Sequence, residues 1–160
     1  MSKQLIIESL STPDQPGYLD KLLILDNDNP GFHCQCSACP NPYQPQTKQK
    51  WQDVYGWIAC NTKDTAYTWE CKITPKHGKC LVLNDGGHVP TRFLDKRNNA
   101  MYAKDVLIHR GDSDIWRGSM ACITLPPIIW LTFIQRFTLN EKGLLFISDY
   151  SGNVIPPAIV

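Results

Sequence analysis

The pattern of apolar and polar residues predicts short β-strands along most of the chain. The predicted strands cover residues 5–10, 22–25, 54–60, 66–73, 80–83, 106–108, 122–125 and 144–147. β-Branched and aromatic residues favour these strands, and the turns between them are rich in Gly, Pro, Asn and Asp. Residues 54–60 and 66–73 are expected to form a hairpin. The segment 84–87 (NDGG) is a further turn signal.

One segment has helical rather than strand periodicity. Trp130, Phe133, Ile134 and Phe137 recur at the spacing of one helical face, directly after a Pro-Pro pair that suits a helix start. The order of elements predicts a single domain over residues 1–160. Its fold class is mostly β, a curved sandwich or barrel-like sheet with one helix packed after the strand at 122–125. Residues 26–50 are predicted to be a Cys/Pro-rich loop.

Composition narrows the function classes. The 160 residues are 42% hydrophobic and 19% charged, which is typical of a globular domain with its own core. A formal net charge of +1 gives no indication of nucleic-acid or anionic-membrane binding. No run reaches the roughly 18 apolar residues of a membrane span. The sequence predicts no cofactor.

Seven cysteines are many for this length. If Cys122 has a chemical role of its own, the six that remain are Cys34, Cys36, Cys39, Cys60, Cys71 and Cys80. An even number is consistent with disulfides, and we expect at least one. Two alternatives stay open. These cysteines are free structural thiols, or the cluster HCQCSAC (residues 33–39) binds a metal through His33, Cys34, Cys36 and Cys39.

The segment 108–125, IHRGDSDIWRGSMACITL, carries the strongest chemical signal. His109 ends one apolar strand and Cys122 begins the next, 13 positions later. This spacing suits a loop that leaves one strand and returns on its neighbour, which brings imidazole and sulfur together. A nearby imidazole can lower the pKa of a thiol and activate it as a nucleophile. The pattern therefore predicts a Cys/His acyl-transfer site.

At these residues the chain resembles the L,D-transpeptidase catalytic-domain family (YkuD type), whose signature is His, a Gly-containing loop and Ser-x-Gly-Cys. The resemblance implies that Cys122 is the nucleophile and His109 the general base, oriented by a backbone carbonyl. Gly111 and Ser119 match the family's glycine and hydroxyl. The backbone N–H groups of Ala121 and Cys122 would form the oxyanion hole.

Four further residues are candidates for substrate binding. Arg117 could pair with a substrate carboxylate, Trp116 could cover the stem peptide, His88 could line the cleft, and Gly111 belongs to the loop. The implied function is acyl transfer on peptidoglycan stem peptides, as an L,D-transpeptidase, an L,D-carboxypeptidase or an exchanger of D-amino acids. The alternative is a non-catalytic binding or structural module with Cys122 buried. Ala121 favours this alternative because the family has glycine there.

The start of the chain contains no recognisable secretory signal. A peptidoglycan enzyme nevertheless works outside the cytoplasm. We therefore expect an antibacterial effector that is secreted without a cleaved signal peptide, for example through a type VI secretion system, and that acts in the periplasm of a target bacterium. Its partners would include an immunity protein and a component of the secretion machine. Release during phage lysis, or a signal cut away from the chain, are the alternatives.

Overall fold

A computed structural model describes residues 3–9, 17–27, 29–38, 43–44, 49–50, 66–94, 100–113 and 122–149. Twelve strands and one α-helix lie in these ranges. They are β1 (Gln4–Ser9), β2 (Asp20–Asp26), β3 (Asn29–Cys36), β4 (Tyr43–Gln44), β5 (Gln49–Lys50), β6 (Tyr67–Thr74), β7 (Gly78–Leu83), β8 (Val89–Leu94), β9 (Ala100–Ala103), β10 (Leu107–Arg110), β11 (Ile123–Leu125), α1 (Pro127–Ile134) and β12 (Lys142–Asp149).

Eight strands form one sheet in the order β11-β10-β7-β6-β12-β1-β2-β3. The pairs β1/β12 and β10/β11 are parallel, and the others are antiparallel. The two ends of the sheet meet where Ser37, just after β3, exchanges two backbone hydrogen bonds with Thr124 of β11, at 2.8 and 3.0 Å. The sheet is therefore a nearly closed barrel. The predicted mostly-β, barrel-like fold with one packed helix is confirmed.

Strand alternation places the core inside this barrel. In β1, Leu5 and Ile7 are fully buried, while the residues between them are partly exposed. Residues that are paired across neighbouring strands share a face of the sheet, so the pairing identifies the inner face of the other strands of this sheet. The fully buried side chains on this inner face include Leu22, Cys71, Leu81, Leu83, Ile108, Ile123, Leu145 and Ile147.

The helix α1 packs its predicted face against the barrel. Trp130, Phe133 and Ile134 are buried, as expected from their spacing. Phe137 lies beyond the end of the helix but is also buried, and it meets the inner Trp69 edge to face at 5.1 Å between ring centroids. The helix begins two residues after the end of β11 and anchors that end of the strand to the core. No helix in the described ranges is long and apolar enough to cross a membrane.

The predicted loop at residues 26–50 is wrong in part, because β3 occupies residues 29–36. β2 and β3 form a hairpin, with Asn27 in the left-handed region (φ 52°) and a register shift between Ile24 and Leu25, opposite Pro30. Proline is tolerated at this position because β3 is the last strand in the order of the sheet. The bulge also interrupts the regular hydrogen bonding between β2 and β3. Two further short strands, β4 and β5, also lie in the predicted loop.

The predicted hairpin partner of residues 66–73 lies at 54–60, outside the described residues. The predicted strand at 66–73 is present as β6, and it pairs with β7 and β12 in the described structure. The hairpin of β8 and β9 had no counterpart among the predicted elements.

Candidate active site

His109 lies on β10 with its side chain on the outer face of the barrel, opposite to the inward Ile108. It is nevertheless 97% buried, with a relative exposure of 3%. Its Nδ1 is 2.7 Å from the carbonyl oxygen of Arg110. A carbonyl can only accept, so Nδ1 must be the donor and Nε2 carries the lone pair. His109 is thus held by a backbone carbonyl in the tautomer that a general base requires.

Cys122 immediately precedes β11, the parallel neighbour of β10. The register pairs Ile108 with Ile123 and His109 with Thr124, so Cys122 lies one step along the same outer face as His109. Its half-buried sulfur accepts a hydrogen bond from the Leu107 N–H at 3.3 Å. The thiol therefore lies against the backbone of β10 at Leu107, two residues before His109.

Both side chains are neutral in the resting protein at neutral pH. Burial lowers the pKa of His109 to about 4, although its bond to the Arg110 carbonyl opposes this shift. Burial likewise raises the pKa of the Cys122 thiol, with the Leu107 N–H and the more distant Lys76 acting against it. The expected lowering of the thiol pKa by a nearby imidazole is not found, because burial dominates the pKa of Cys122 and desolvation penalises the charged forms of both groups.

His77 is a member of this site that sequence reasoning did not identify. It lies in the turn between β6 and β7, and its ring stacks on the His109 ring with centroids 3.8 Å apart. Its backbone N–H donates to Thr74 Oγ1 at 3.2 Å, which fixes the turn. Burial lowers the pKa of His77, and the nearby Lys76 adds to this effect. The one local hint in the sequence is its place in a tight Pro-Lys-His-Gly turn.

Gly111 has a packing role. A Cβ at this position would lie 2.8 Å from Cζ of Tyr18 and closer still to the phenol oxygen. That phenol donates to the carbonyl of Ser113 at 2.7 Å, and the Gly111 N–H donates to the carbonyl of Leu125 at 2.8 Å. The start of the loop after His109 is thus pressed between Tyr18 and β11, and only glycine leaves room for the ring.

Four of the predicted site residues, Trp116, Arg117, Ser119 and Ala121, lie outside the described residues. His88 is described, and it is exposed. It follows the far end of β7, whereas His77 precedes the near end, so β7 separates His88 from the His77–His109 pair. The structure does not bring His88 against His109.

The disulfide prediction fails for the cysteines that the structure describes, because Cys34, Cys36, Cys71 and Cys80 are all free thiols. Cys39 and Cys60 lie outside the described residues. The metal alternative is also unsupported, since alternation along β3 turns His33 and Cys34 to opposite faces. In the described ranges, no group of three or more His, Cys, Asp or Glu side chains could hold a metal ion.

Two of the open grooves that the described residues line lie elsewhere on the barrel. One, of about 510 Å³, lies over β6 and β12 beside Glu70, Asp85 and Lys142. The other, of about 440 Å³, lies over β1–β3 and includes His33 and Cys34. This second Cys/His pair cannot act together, because the two side chains face opposite ways and burial raises the pKa of Cys34 to about 12. The chemistry therefore favours His109 and Cys122 over either groove.

Compared with known proteins, the chain matches no family model, no curated protein and no solved structure. The geometry of the site itself is therefore the basis for a functional proposal.

Proposed function

We propose that this protein is a cysteine-dependent acyl transferase of the L,D-transpeptidase type, acting on peptidoglycan stem peptides. One observation carries the proposal. Cys122 and His109 share the outer face of two adjacent parallel strands, and the Arg110 carbonyl holds His109 with Nε2 free to accept a proton. Acyl transfer requires at least a nucleophile and an oriented base, and here both would lie on one face of the sheet.

The reaction follows from the neutral resting pair. As the Cys122 sulfur attacks the carbonyl between the L-centre of a diamino acid and the following D-alanine, His109 Nε2 takes the thiol proton. The tetrahedral intermediate then collapses to a thioester, and His109 returns the proton to the leaving amine of D-alanine. An amine (transpeptidation or D-amino-acid exchange) or water (carboxypeptidation) finally releases the acyl group. The Leu107 N–H supports the developing thiolate.

The direct test is to incubate the protein with tetrapeptide and pentapeptide muropeptides and to identify the products by mass. The proposal expects loss of D-alanine, or its exchange, with the parent and with Cys34→Ala. That control removes a half-buried thiol that lies outside the site. Cys122→Ala should abolish turnover, and His109→Ala should lower it nearly as far. Full turnover by Cys122→Ala would refute the assignment.

The family resemblance supports action outside the cytoplasm, and we propose an antibacterial effector that acts in the periplasm of a target cell. Stem peptides of the mature wall are reached only from outside the membrane. Directing the chain to the periplasm of a susceptible bacterium should cause swelling or lysis, while cytoplasmic expression should be harmless. Periplasmic Cys122→Ala is the matched control. Equal toxicity from both compartments, or from the control, would contradict the effector role.

A non-catalytic module is the second candidate, and burial of the pair favours it. His109 has 3% relative exposure, and burial raises the pKa of Cys122. Alkylation under native conditions separates the two candidates. Stoichiometric labelling of Cys122 at neutral pH supports the enzyme, and labelling only after unfolding supports the module.

A further inference from the structure

Thr124 has a buried hydroxyl without a hydrogen-bond partner. The side chain is fully buried, and its Oγ1 is the one buried side-chain oxygen or nitrogen in the described ranges for which no partner is found. Leaving a hydroxyl unpaired in a protein interior is unfavourable, whereas valine would fill nearly the same space without that penalty. A hydroxyl at this position therefore calls for an explanation.

The position of Thr124 places this hydroxyl at the candidate active site. The register of β10 and β11 sets Thr124 directly opposite His109, on the same outer face. Cys122 lies two residues earlier, immediately before β11, and continued alternation places it on the same face. The unpaired hydroxyl is thus buried on the same face of the sheet as His109 and Cys122.

The Thr124 backbone is held in place from the other side. Its N–H and carbonyl both bond to Ser37, at 3.0 and 2.8 Å, in the bridge that closes the barrel. A β-branched side chain on a fixed backbone has few rotamers. The hydroxyl is therefore positioned in advance rather than free to find a partner elsewhere.

We propose that the Thr124 hydroxyl is a binding residue that donates a hydrogen bond to an oxygen of the bound acyl substrate, either a carbonyl or a carboxylate. This inference rests on the proposed function and adds a specific contact to it. His109 Nδ1 already donates to Arg110, and its Nε2 must stay open to receive the thiol proton. The Thr124 hydroxyl is a donor on this face for which no partner is found, and stem peptides are rich in acceptor oxygens.

The test compares Thr124→Val, which removes the hydroxyl, with Thr124→Ser, which keeps it. Thr132→Val, on the exposed side of α1, is the matched control. Thr124→Val should keep or raise the melting temperature and lower kcat/KM on tetrapeptide muropeptides by about 10- to 100-fold, as expected for a lost hydrogen bond to substrate. Thr124→Ser should recover most of that loss, and Thr132→Val should change neither quantity. Unchanged kcat/KM in Thr124→Val would overturn the inference.

A second measurement separates this inference from the proposed function. Cys122 is alkylated with iodoacetamide, which carries a carbonyl oxygen, and with iodoethane, which does not. Thr124→Val should slow the reaction with iodoacetamide at least about fivefold more than the reaction with iodoethane, because only iodoacetamide has an oxygen that can accept a hydrogen bond from the hydroxyl. That selectivity, with no parent turnover on muropeptides, would refute the proposed function and retain the Thr124 contact. Equal effects on both reagents, with or without lower stability, would mean that the hydroxyl makes no contact with the carbonyl oxygen, and the inference would fail.

Discussion

The imidazole of His77 lies stacked on the imidazole of His109, with ring centroids 3.8 Å apart and the ring planes 25° from parallel. The two rings come from different parts of the chain, one from the turn before β7 and one from β10. Their proximity opposes a proton on both rings at once, and it covers one face of His109 from solvent. His77 thus helps to keep His109 neutral, which is the state in which it can accept a proton from a thiol.

The pKa of His109, followed by NMR, should rise when His77 is replaced. His77→Phe keeps the stacked ring but removes a positive charge that opposes protonation of His109, so a modest increase is expected. His77→Ala also opens His109 to water, so the increase should be larger. His33→Phe, on the exposed face of β3, is the control and should leave the pKa of His109 unchanged. A parent pKa of 6.5 or above, or no response to His77→Ala, would contradict this role.

The free energy of unfolding should fall as the pH is lowered through the range set by His109. The pKa of His109 is about 4 in the folded protein against 6.5 for the free group, so between these values the unfolded chain binds more protons. The contribution is fully present above pH 6.5 and is lost as the pH falls toward 4. From about pH 7.5 to about pH 4.5 the loss due to this residue should be about 2 to 3 kcal/mol.

Urea unfolding at several pH values measures this loss, and His109→Gln isolates it. Glutamine cannot titrate but can still donate to the Arg110 carbonyl. Carboxylates and the partly exposed His77 contribute to the pH dependence of both proteins, so the difference between the two curves reports His109. Parallel curves for the parent and His109→Gln would show that His109 is not buried in its neutral form.

Gly111→Ala should destabilise the fold through a collision with Tyr18. The added Cβ would lie 2.8 Å from Tyr18 Cζ, far inside van der Waals contact. Overpacking of this kind typically costs about 1–3 kcal/mol. In a Tyr18→Ala background the same substitution should cost much less, because the ring is gone. Urea unfolding of the four proteins in this cycle measures the coupling, and additive effects would rule out the contact.

Thiol counting should find most cysteines reduced. Cys34, Cys36, Cys71, Cys80 and Cys122 are free, so alkylation of denatured protein without reductant should add at least five labels. Intact mass gives the number directly, and peptide mapping assigns the sites. Four or fewer labels would mean that at least one of these five cysteines is oxidised, contrary to the structure.

The strands and the helix could be predicted where buried residues recur at the regular spacing of a strand or a helix. Leu5 and Ile7 alternate with partly exposed neighbours, and Trp130, Phe133, Ile134 and Phe137 follow one helical face. These signals are local, because one side of each element faces the core. β3 was missed because Asn, Pro and Gly at its start resemble a loop. Its own alternation of Phe32, Cys34 and Cys36 with polar residues was the available signal.

The sequence predicted only those members of the candidate site that lie close together along the chain. The spacing of His109 and Cys122 indicated neighbouring strands, which β10 and β11 are. His77 and Thr124 join them through contacts that no local pattern shows. The pairing of β7 with β10 brings the turn at His77 to His109, and the β10/β11 register sets Thr124 opposite His109. Desolvation of His109 and Cys122 likewise depends on the packed fold, so the sequence could not reveal their shifted pKa values.

If Cys122 forms a thioester with a peptidoglycan stem, as we propose, the mass of the acid-quenched protein will show the acyl group. After brief mixing with a tetrapeptide muropeptide, the parent should gain the mass of the stem minus D-alanine, and peptide mapping should place the addition on Cys122. His109→Ala should accumulate it far more slowly, and Cys122→Ala should not form it. An adduct on Cys122→Ala, or an unmodified parent with unchanged muropeptide, would contradict the account.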